Sequence, residues 1–245
     1  PHTVRSVGMA MAMQGSGIGG VDVGSVQLKL NDDGFYTLMI GCSDMGTGCD
    51  TILAQMAADG LGCDMDNIIV RGVDTDQSPY DSGSYASSTT YVTGGAVVKA
   101  CESMRKRICE EAAAIMGLKS GEVDFDGETI SENDNPEHSM TLSDLITSLE
   151  AGNGRIIEVT ESHTSPVSPP PFMAGAAEIE VDLETGKITP INYVAAVDCG
   201  TVINTNLARI QTEGGIVQGM GMTLYEDVQY TEAGKMKNRN FMSYK

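Results

Sequence analysis

The sequence predicts an α+β fold of two-layer units, in which mixed β-sheet packs against helices and one hairpin, glycine-loop, helix unit occurs twice. Three observations predict it. Val26, Leu28 and Leu30 alternate with polar residues, and so do Ala177, Ile179 and Val181, each run passing through a turn into a second extended segment. Each hairpin is followed by an Asp-x-Gly loop, first Asp44-Met45-Gly46 and then Asp198-Cys199-Gly200. Each loop leads into a helix-like stretch, carrying Gln55 in the first copy and Gln211 in the second. The repeat divides the chain into a first unit over residues 1–165, with a small irregular insertion, and a second, homologous unit over residues 166–245 that is truncated at its C-terminal end.

The elements follow in order. Asn31-Asp32-Asp33-Gly34 turns the first hairpin, and residues 36–40 return as its second strand. Ile52, Leu53, Met56, Ala57 and Leu61 have helical spacing, and residues 67–73 read as another strand. Residues 93–116 predict the strongest helix, with Ala96, Val97, Ala100, Met104, Ile108, Ala112 and Ile115 on its apolar stripe. Between residues 120 and 165 the pattern weakens to a small strand pair and a helix near residues 143–149. Ser168-Pro169-Pro170-Pro171 stiffens a connector. Asp182-Leu183-Glu184-Thr185-Gly186 turns the second hairpin, and residues 240–245 read as a strand that breaks off, as in an excised fragment.

Composition narrows the function classes. A net charge of -19 over 245 residues argues against nucleic acid and anionic membrane as partners, because phosphates attract Lys/Arg clusters that are missing here. No apolar run reaches the roughly 18 residues of a membrane span. The six cysteines form no Cys-x-x-Cys pair, so neither a zinc ribbon nor an iron–sulfur site is supported, and no protein-ligated metal is expected. Reduced, mostly buried thiols fit a cytoplasmic protein.

Familiar motifs fail on context. Gly15-Ser16-Gly17-Ile18-Gly19-Gly20 satisfies G-x-G-x-x-G, but a hairpin follows where a dinucleotide fold needs a helix, so it reads as a flexible glycine-rich turn. No G-x-x-x-x-G-K-[ST] occurs, and Gly41-Cys42-Ser43-Asp44-Met45 lacks the second glycine of a nucleophile elbow. Asp74, Asp76 and Asp81 have no EF-hand spacing and read as solvated acids.

What remains is a pair of polar loops without a cation. Residues 41–51 read Gly-Cys-Ser-Asp-Met-Gly-Thr-Gly-Cys-Asp-Thr, and residues 82–90 read Ser-Gly-Ser-Tyr-Ala-Ser-Ser-Thr-Thr. Both offer dense N–H groups and hydroxyls ahead of a helix, the chemistry that holds an anionic ligand by main chain.

These residues resemble the molybdenum hydroxylases, the xanthine dehydrogenase and aldehyde oxidase family. Residues 41–51 resemble its glycine-rich loop, with Thr47 where the family has Gln. Residues 74–91 resemble its second pterin-binding stretch. Asp198-Cys199-Gly200-Thr201-Val202-Ile203-Asn204 followed by residues 211–221 resembles the third. The resemblance implies a molybdenum–molybdopterin cofactor lined by Met45, Gly46, Thr47, Gly48, Ser84, Ala86, Ser87, Ser88 and Thr89, with Gln211 bonding one edge. The cytosine dinucleotide form of the cofactor is left open by these residues. The resemblance also implies hydroxylation of a purine, another N-heteroaromatic or an aldehyde with water as the oxygen source. Without the cysteine loop of carbon monoxide dehydrogenases, it points to a xanthine dehydrogenase-like member. The implied partners are the rest of the molybdenum subunit and carriers of [2Fe-2S] and FAD. The family's glutamate base belongs to a Gly-Glu motif beyond Lys245, so no catalytic residue carries over, and the fragment alone is expected to be inactive. Glu213 reads as a structural carboxylate. The competing reading is a non-catalytic acidic binding or assembly module that keeps the fold without the cofactor.

Overall fold

The computed structural model describes residues 2–244, and Pro1 and Lys245 lie outside the described residues. Among the described residues, ten strands and four α-helices run in the order β1 (Thr3–Met13), β2 (Gly24–Leu30), β3 (Tyr36–Ile40), α1 (Cys49–Leu61), β4 (Ile68–Arg71), α2 (Thr89–Met116), β5 (Val123–Phe125), β6 (Thr129–Glu132), β7 (Asn135–Thr141), α3 (Leu142–Asn153), β8 (Ile157–His163), β9 (Phe172–Asp182), β10 (Ile188–Asp198) and α4 (Thr205–Leu224). They form two compact units. The central unit spans Gly15–Pro169, and the terminal unit joins the segment ending at Gln14 to the segment beginning at Pro170.

In the central unit a four-stranded sheet has the order β4-β3-β2-β8. β2 pairs antiparallel with both β3 and β8, and β3 pairs parallel with β4. A parallel pair needs a crossover, and α1 supplies it. Alternation puts Val26, Leu28, Leu30, Tyr36, Leu38 and Ile40 on one buried face. That face packs on Leu53, Ala57 and Leu61 of α1 and on Ala96, Val97, Ala100, Met104 and Ile108 of α2. The small sheet β5-β6-β7 and α3 complete the unit. Helix α2 begins four residues before the predicted Thr93, because the polar run Thr89-Thr90-Tyr91 already forms its first turn.

In the terminal unit β9 is the centre of the sheet β1-β9-β10, paired antiparallel on both sides. A bulge between Pro190 and Asn192 accommodates a proline that has no N–H for the ladder. The sequence division at residue 165 therefore differs from the observed one at the N-terminus. Strand β1 pairs along its whole length with β9, from Thr3↔Asp182 to Met13↔Phe172, and so lies with the second hairpin. A second correction concerns the chain end, which is a turn and not a strand over its described residues. The Asn240 side chain accepts the amides of Met242 and Ser243 at 3.1 Å each, a local bond that replaces strand pairing.

The repeated unit is present in both copies. β2, β3 and α1 correspond to β9, β10 and α4, and the intervening Asp-x-Gly loops close in the same way. Asp44 Oδ1 accepts the Gly46 amide at 2.8 Å with Gly46 at φ +93°, and Asp198 Oδ1 accepts the Gly200 amide at 3.1 Å with Gly200 at φ +72°.

A close backbone approach in the central unit joins β2 to α2. A Cβ on Gly24 would stand 2.5 Å from Thr93 Cα, while one on Gly72 would meet nothing within 4 Å. Gly24→Ala should therefore lower stability by about 1–3 kcal/mol, as overpacking does, and Gly72→Ala should stay within about 0.5 kcal/mol of wild type. Urea unfolding of both variants checks the contrast, and equal stabilities would contradict the packing described.

Candidate functional site

The two polar loops meet in the central unit. The first connects β3 to α1, and the second runs into α2. The Ser84 hydroxyl donates to the Ser43 carbonyl at 2.7 Å, which ties one loop to the other. Gly41 permits the contact, since a Cβ there would collide with the Pro79 carbonyl oxygen and lie 2.6 Å from Asp81 Cβ. Asp81 in turn accepts the Gly83 amide at 2.8 Å and the Thr93 hydroxyl at 2.9 Å. Ser82 exchanges two bonds with Val23, accepting at its Oγ and donating from its amide.

The first loop folds around its own carboxylate. Asp44 Oδ1 accepts the amides of Gly46 and Gly48, and Oδ2 accepts the Asp50 amide at 3.4 Å. Partial burial alone would raise the Asp44 pKa, but the amides of Gly46, Gly48, Asp50 and Thr47 together hold it below the ordinary carboxylate value. The start of α1 is thus capped by an anion of the chain itself. This corrects the expectation that amides at both helix starts point at a ligand. Asp44, Cys49 and Asp50 also bring three potential metal-ligand atoms within 4.8 Å of one another. The Asp44 oxygens already serve as caps, and the Cys49 thiol donates to Asp50 Oδ1 at 3.8 Å.

Beneath this loop Cys42 and Cys49 are both buried. A hydrogen bond between the two thiols, followed by burial, raises the Cys42 pKa, and the same bond lowers that of Cys49. Thr47 is exposed on the same loop. Met45 stands out of the loop, 68% exposed.

The second loop carries backbone strain. Ala86 and Ser87 have φ of +50° and +58°, the only non-glycine residues with positive φ among those described. Each costs about 1–2 kcal/mol, a cost that clusters at functional sites. The Gly17 amide donates to the Ala86 carbonyl at 2.8 Å and holds the turn from outside. Ser88 is buried and donates its hydroxyl to the Gly83 carbonyl at 3.1 Å, so that hydroxyl shapes the loop and does not face outward. No side-chain cap closes the start of α2. The N-cap residue Ser88 makes no side-chain cap bond to the first turn of this 28-residue helix, and helix starts of that kind are suited to anions.

Sequence reading missed the layer behind this loop. Gly15-Ser16-Gly17-Ile18-Gly19-Gly20 is pinned and not a flexible turn. Its amides at Ser16, Gly17 and Gly20 donate to Pro169, Ala86 and Ser165, and the Gly17 carbonyl accepts the Ser168 hydroxyl at 2.6 Å. Asp22, only 1% exposed, accepts the Ile18 amide at 2.7 Å and the Tyr85 hydroxyl at 2.6 Å. No local pattern announces these partners, which are 63 and 151 residues away along the chain for Tyr85–Asp22 and Ser168–Gly17.

Gln211 belongs to the terminal unit. It lies on α4 and, with Met173, Tyr193, Ile216 and Met220, lines a cleft of about 780 Å³ bounded by that helix and the sheet β1-β9-β10. Asn204 caps α4 by accepting the Leu207 amide at 3.0 Å. Glu213 accepts Arg209 Nε at 2.7 Å, one helical turn away on the exposed surface.

The Asp44 cap is testable by pH. A carboxylate with a depressed native pKa contributes stability above its unfolded pKa and loses it as pH falls through the native value. Asp44→Ala should cost about 0.5–2 kcal/mol near neutral pH, as removal of an N-cap does. Guanidinium unfolding should show wild type and variant converging below the ordinary carboxylate range. A gap that persists in acid would mean that the carboxylate's charge is not what caps the helix.

A family model described as "Molybdopterin cofactor-binding domain" matches residues 2–245. The chain is 32% identical over 238 residues to "Probable hypoxanthine oxidase XdhD" of Escherichia coli (strain K12), covering 97% of this chain and 25% of that protein. It is 27% identical to "Putative xanthine dehydrogenase molybdenum-binding subunit XdhA" of the same organism, covering 92% of this chain and 31% of the relative. Among solved structures, reconstituted CO dehydrogenase from Oligotropha carboxidovorans superposes with a TM-score of 0.88 at 23% identity, over 100% of this chain and 32% of that one. The chain spans a quarter to a third of the length of these relatives.

Proposed function

From the premise that the chain belongs to the molybdopterin cofactor-binding domain family, we propose that its two polar loops form part of the cofactor wall of a xanthine dehydrogenase-like molybdenum hydroxylase. The observation that carries this reading is the uncapped start of α2, reached through the left-handed pair Ala86–Ser87 and held against the glycine loop by the Ser84–Ser43 bond. The residues present fit an anionic pterin. They offer amide and hydroxyl donors on a helix terminus, with the neighbouring carboxylate Asp44 turned into its own cap and away from that role at α2.

In this reading Ser87 and Thr89 donate hydroxyls and the first-turn amides of α2 donate N–H groups to the cofactor's phosphate. Met45 and the Gly46–Gly48 backbone cover one side of the ring system, and Gln211 bonds an edge. Ser88 keeps the turn in shape. When bound, a molybdenum–pterin group supplies two-electron hydroxylation with water as the oxygen source. The chain's own contribution is binding and orientation, through charge-assisted hydrogen bonds worth about 1.5–3 kcal/mol each. The substrate is a purine or related N-heteroaromatic, and the electrons leave through iron–sulfur and flavin carriers on partner domains or subunits. No helix of the described residues is long and apolar enough to cross a membrane, and the reading places the enzyme in the cytoplasm.

The assignment predicts that, in the complete molybdenum subunit, Ser87→Ala and Gln211→Ala lower molybdenum and pterin content per chain while circular dichroism and melting temperature stay at wild-type values. Metal analysis and fluorescence of the oxidised pterin measure this. Full content in both variants would count against their roles, and a wild-type subunit that folds without molybdenum would sink the proposal as a whole.

A further inference from the structure

We propose that the buried Asp22 and the more exposed Tyr85 are positioning residues, a buttress that holds Ala86–Ser87 in the left-handed conformation on which the first turn of α2 depends. The inference rests on the cofactor-wall reading for its functional consequence, while the buttress itself stands on geometry alone.

Asp22 is 1% exposed and has no basic partner among the ion pairs of the described residues. A buried carboxylate without a cation is costly unless its oxygens are hydrogen-bonded, and both are. Oδ1 accepts the Tyr85 hydroxyl at 2.6 Å, and Oδ2 accepts the Ile18 amide at 2.7 Å. One carboxylate therefore joins the residue before the left-handed pair to the glycine turn behind it. The same turn returns a backbone bond, from the Gly17 amide to the Ala86 carbonyl at 2.8 Å. Tyr85 and Ala86 are thus fixed on consecutive residues by two bonds to one short segment.

The space behind the turn leaves no slack. Gly17 is buried at φ +78°, and a Cβ there would lie 3.1 Å from both Asp22 Oδ2 and Val92 Cγ2. The Ser168 hydroxyl holds the Gly17 carbonyl from the other side at 2.6 Å. Because Ala86 and Ser87 run directly into Ser88 and α2, the torsions set here fix how the first-turn donors of the helix are presented. An unrestrained alanine and serine would relax to negative φ. Removing the Tyr85 hydroxyl should release the turn without disturbing the core, because the ring and its packing stay.

The test uses the full chain and four proteins: wild type, Tyr85→Phe, Asp22→Asn, and Tyr85→Phe combined with Ala86→Gly. Amide hydrogen exchange by NMR reads the Gly17 amide directly. In Tyr85→Phe it should exchange about tenfold faster, a local opening, with the Leu38 amide and melting temperature unchanged. Ala86→Gly should restore slow exchange, because glycine adopts positive φ without strain, a rescue that a merely structural role for Tyr85 would not show. In the complete subunit, Tyr85→Phe should lower pterin content and Ala86→Gly should recover it. Unchanged Gly17 exchange in Tyr85→Phe would overturn the inference, as would accelerated exchange that glycine fails to rescue. If Asp22→Asn does not fold, Tyr85→Phe alone decides. A wild-type subunit lacking pterin would overturn the cofactor reading, and the exchange data would still judge the buttress.

Discussion

The close approach of α2 to the edge of β2 is the constraint around which the central unit is arranged. With no side chain at Gly24, the backbone of α2 comes in at Thr93, and Thr93 reaches Asp81 with its hydroxyl. Asp81 then orders Gly83, and its neighbour Ser82 pairs with Val23, which leads back to β2. This closed circuit fixes where the second polar loop starts, while the helix it feeds fixes where the loop ends. The absence of a side chain at Gly41 lets the end of β3 lie against the same segment, and the first loop follows from there. Core packing thus determines the spacing of the two loops before any of their own side chains act.

Electrostatics then assigns different tasks to two helix termini of the same sign. In a chain of net charge -19 with no Lys or Arg in either loop, helix dipoles and hydrogen-bond donors are the positive groups these loops offer. At α1 the chain satisfies the positive end internally, through Asp44. At α2 the N-cap residue Ser88 turns its hydroxyl back to Gly83 and does not cap the first turn. The two starts differ within one unit: Asp44 accepts the Gly48 and Asp50 amides at α1, while the N-cap side chain of α2 turns away from its first turn. Glycine at 46 and 48, both at positive φ, allows the chain to curl tightly enough for one carboxylate to meet three amides.

Much of this was legible in the sequence because the signals were local. Alternation at Val26, Leu28 and Leu30 and at Ala177, Ile179 and Val181 located both hairpins, and apolar spacing located α1 and α2. The repeated Asp-x-Gly turns are local too, each aspartate accepting an amide two residues on. The partner of β1 was not legible, since strand pairing over some 170 residues leaves no mark in a strand whose side chains are mostly exposed on both faces. The rigidity of Gly15–Gly20 was hidden for the same reason. Glycines suggest freedom, but here they are the residues that let Pro169, Ala86, Ser165 and Asp22 come close enough to bond. The strain at Ala86 and Ser87 was invisible as well, because neither residue type advertises a left-handed backbone.

Thr47 shows how a single departure from a family pattern acquires a physical meaning. A glutamine at this position would extend an amide well beyond the loop, whereas threonine is short and branched at Cβ. In this chain Thr47 is exposed, next but one to the buried Cys49. So short a side chain adds little reach beyond the loop, and leaves the outward surface largely to Met45 and to backbone. A loop built this way depends less on one long polar side chain and more on the exact course of its main chain. That dependence is the reason its neighbours, the Ser84–Ser43 bond on one side and the Asp44 cap on the other, carry so much of the site's definition.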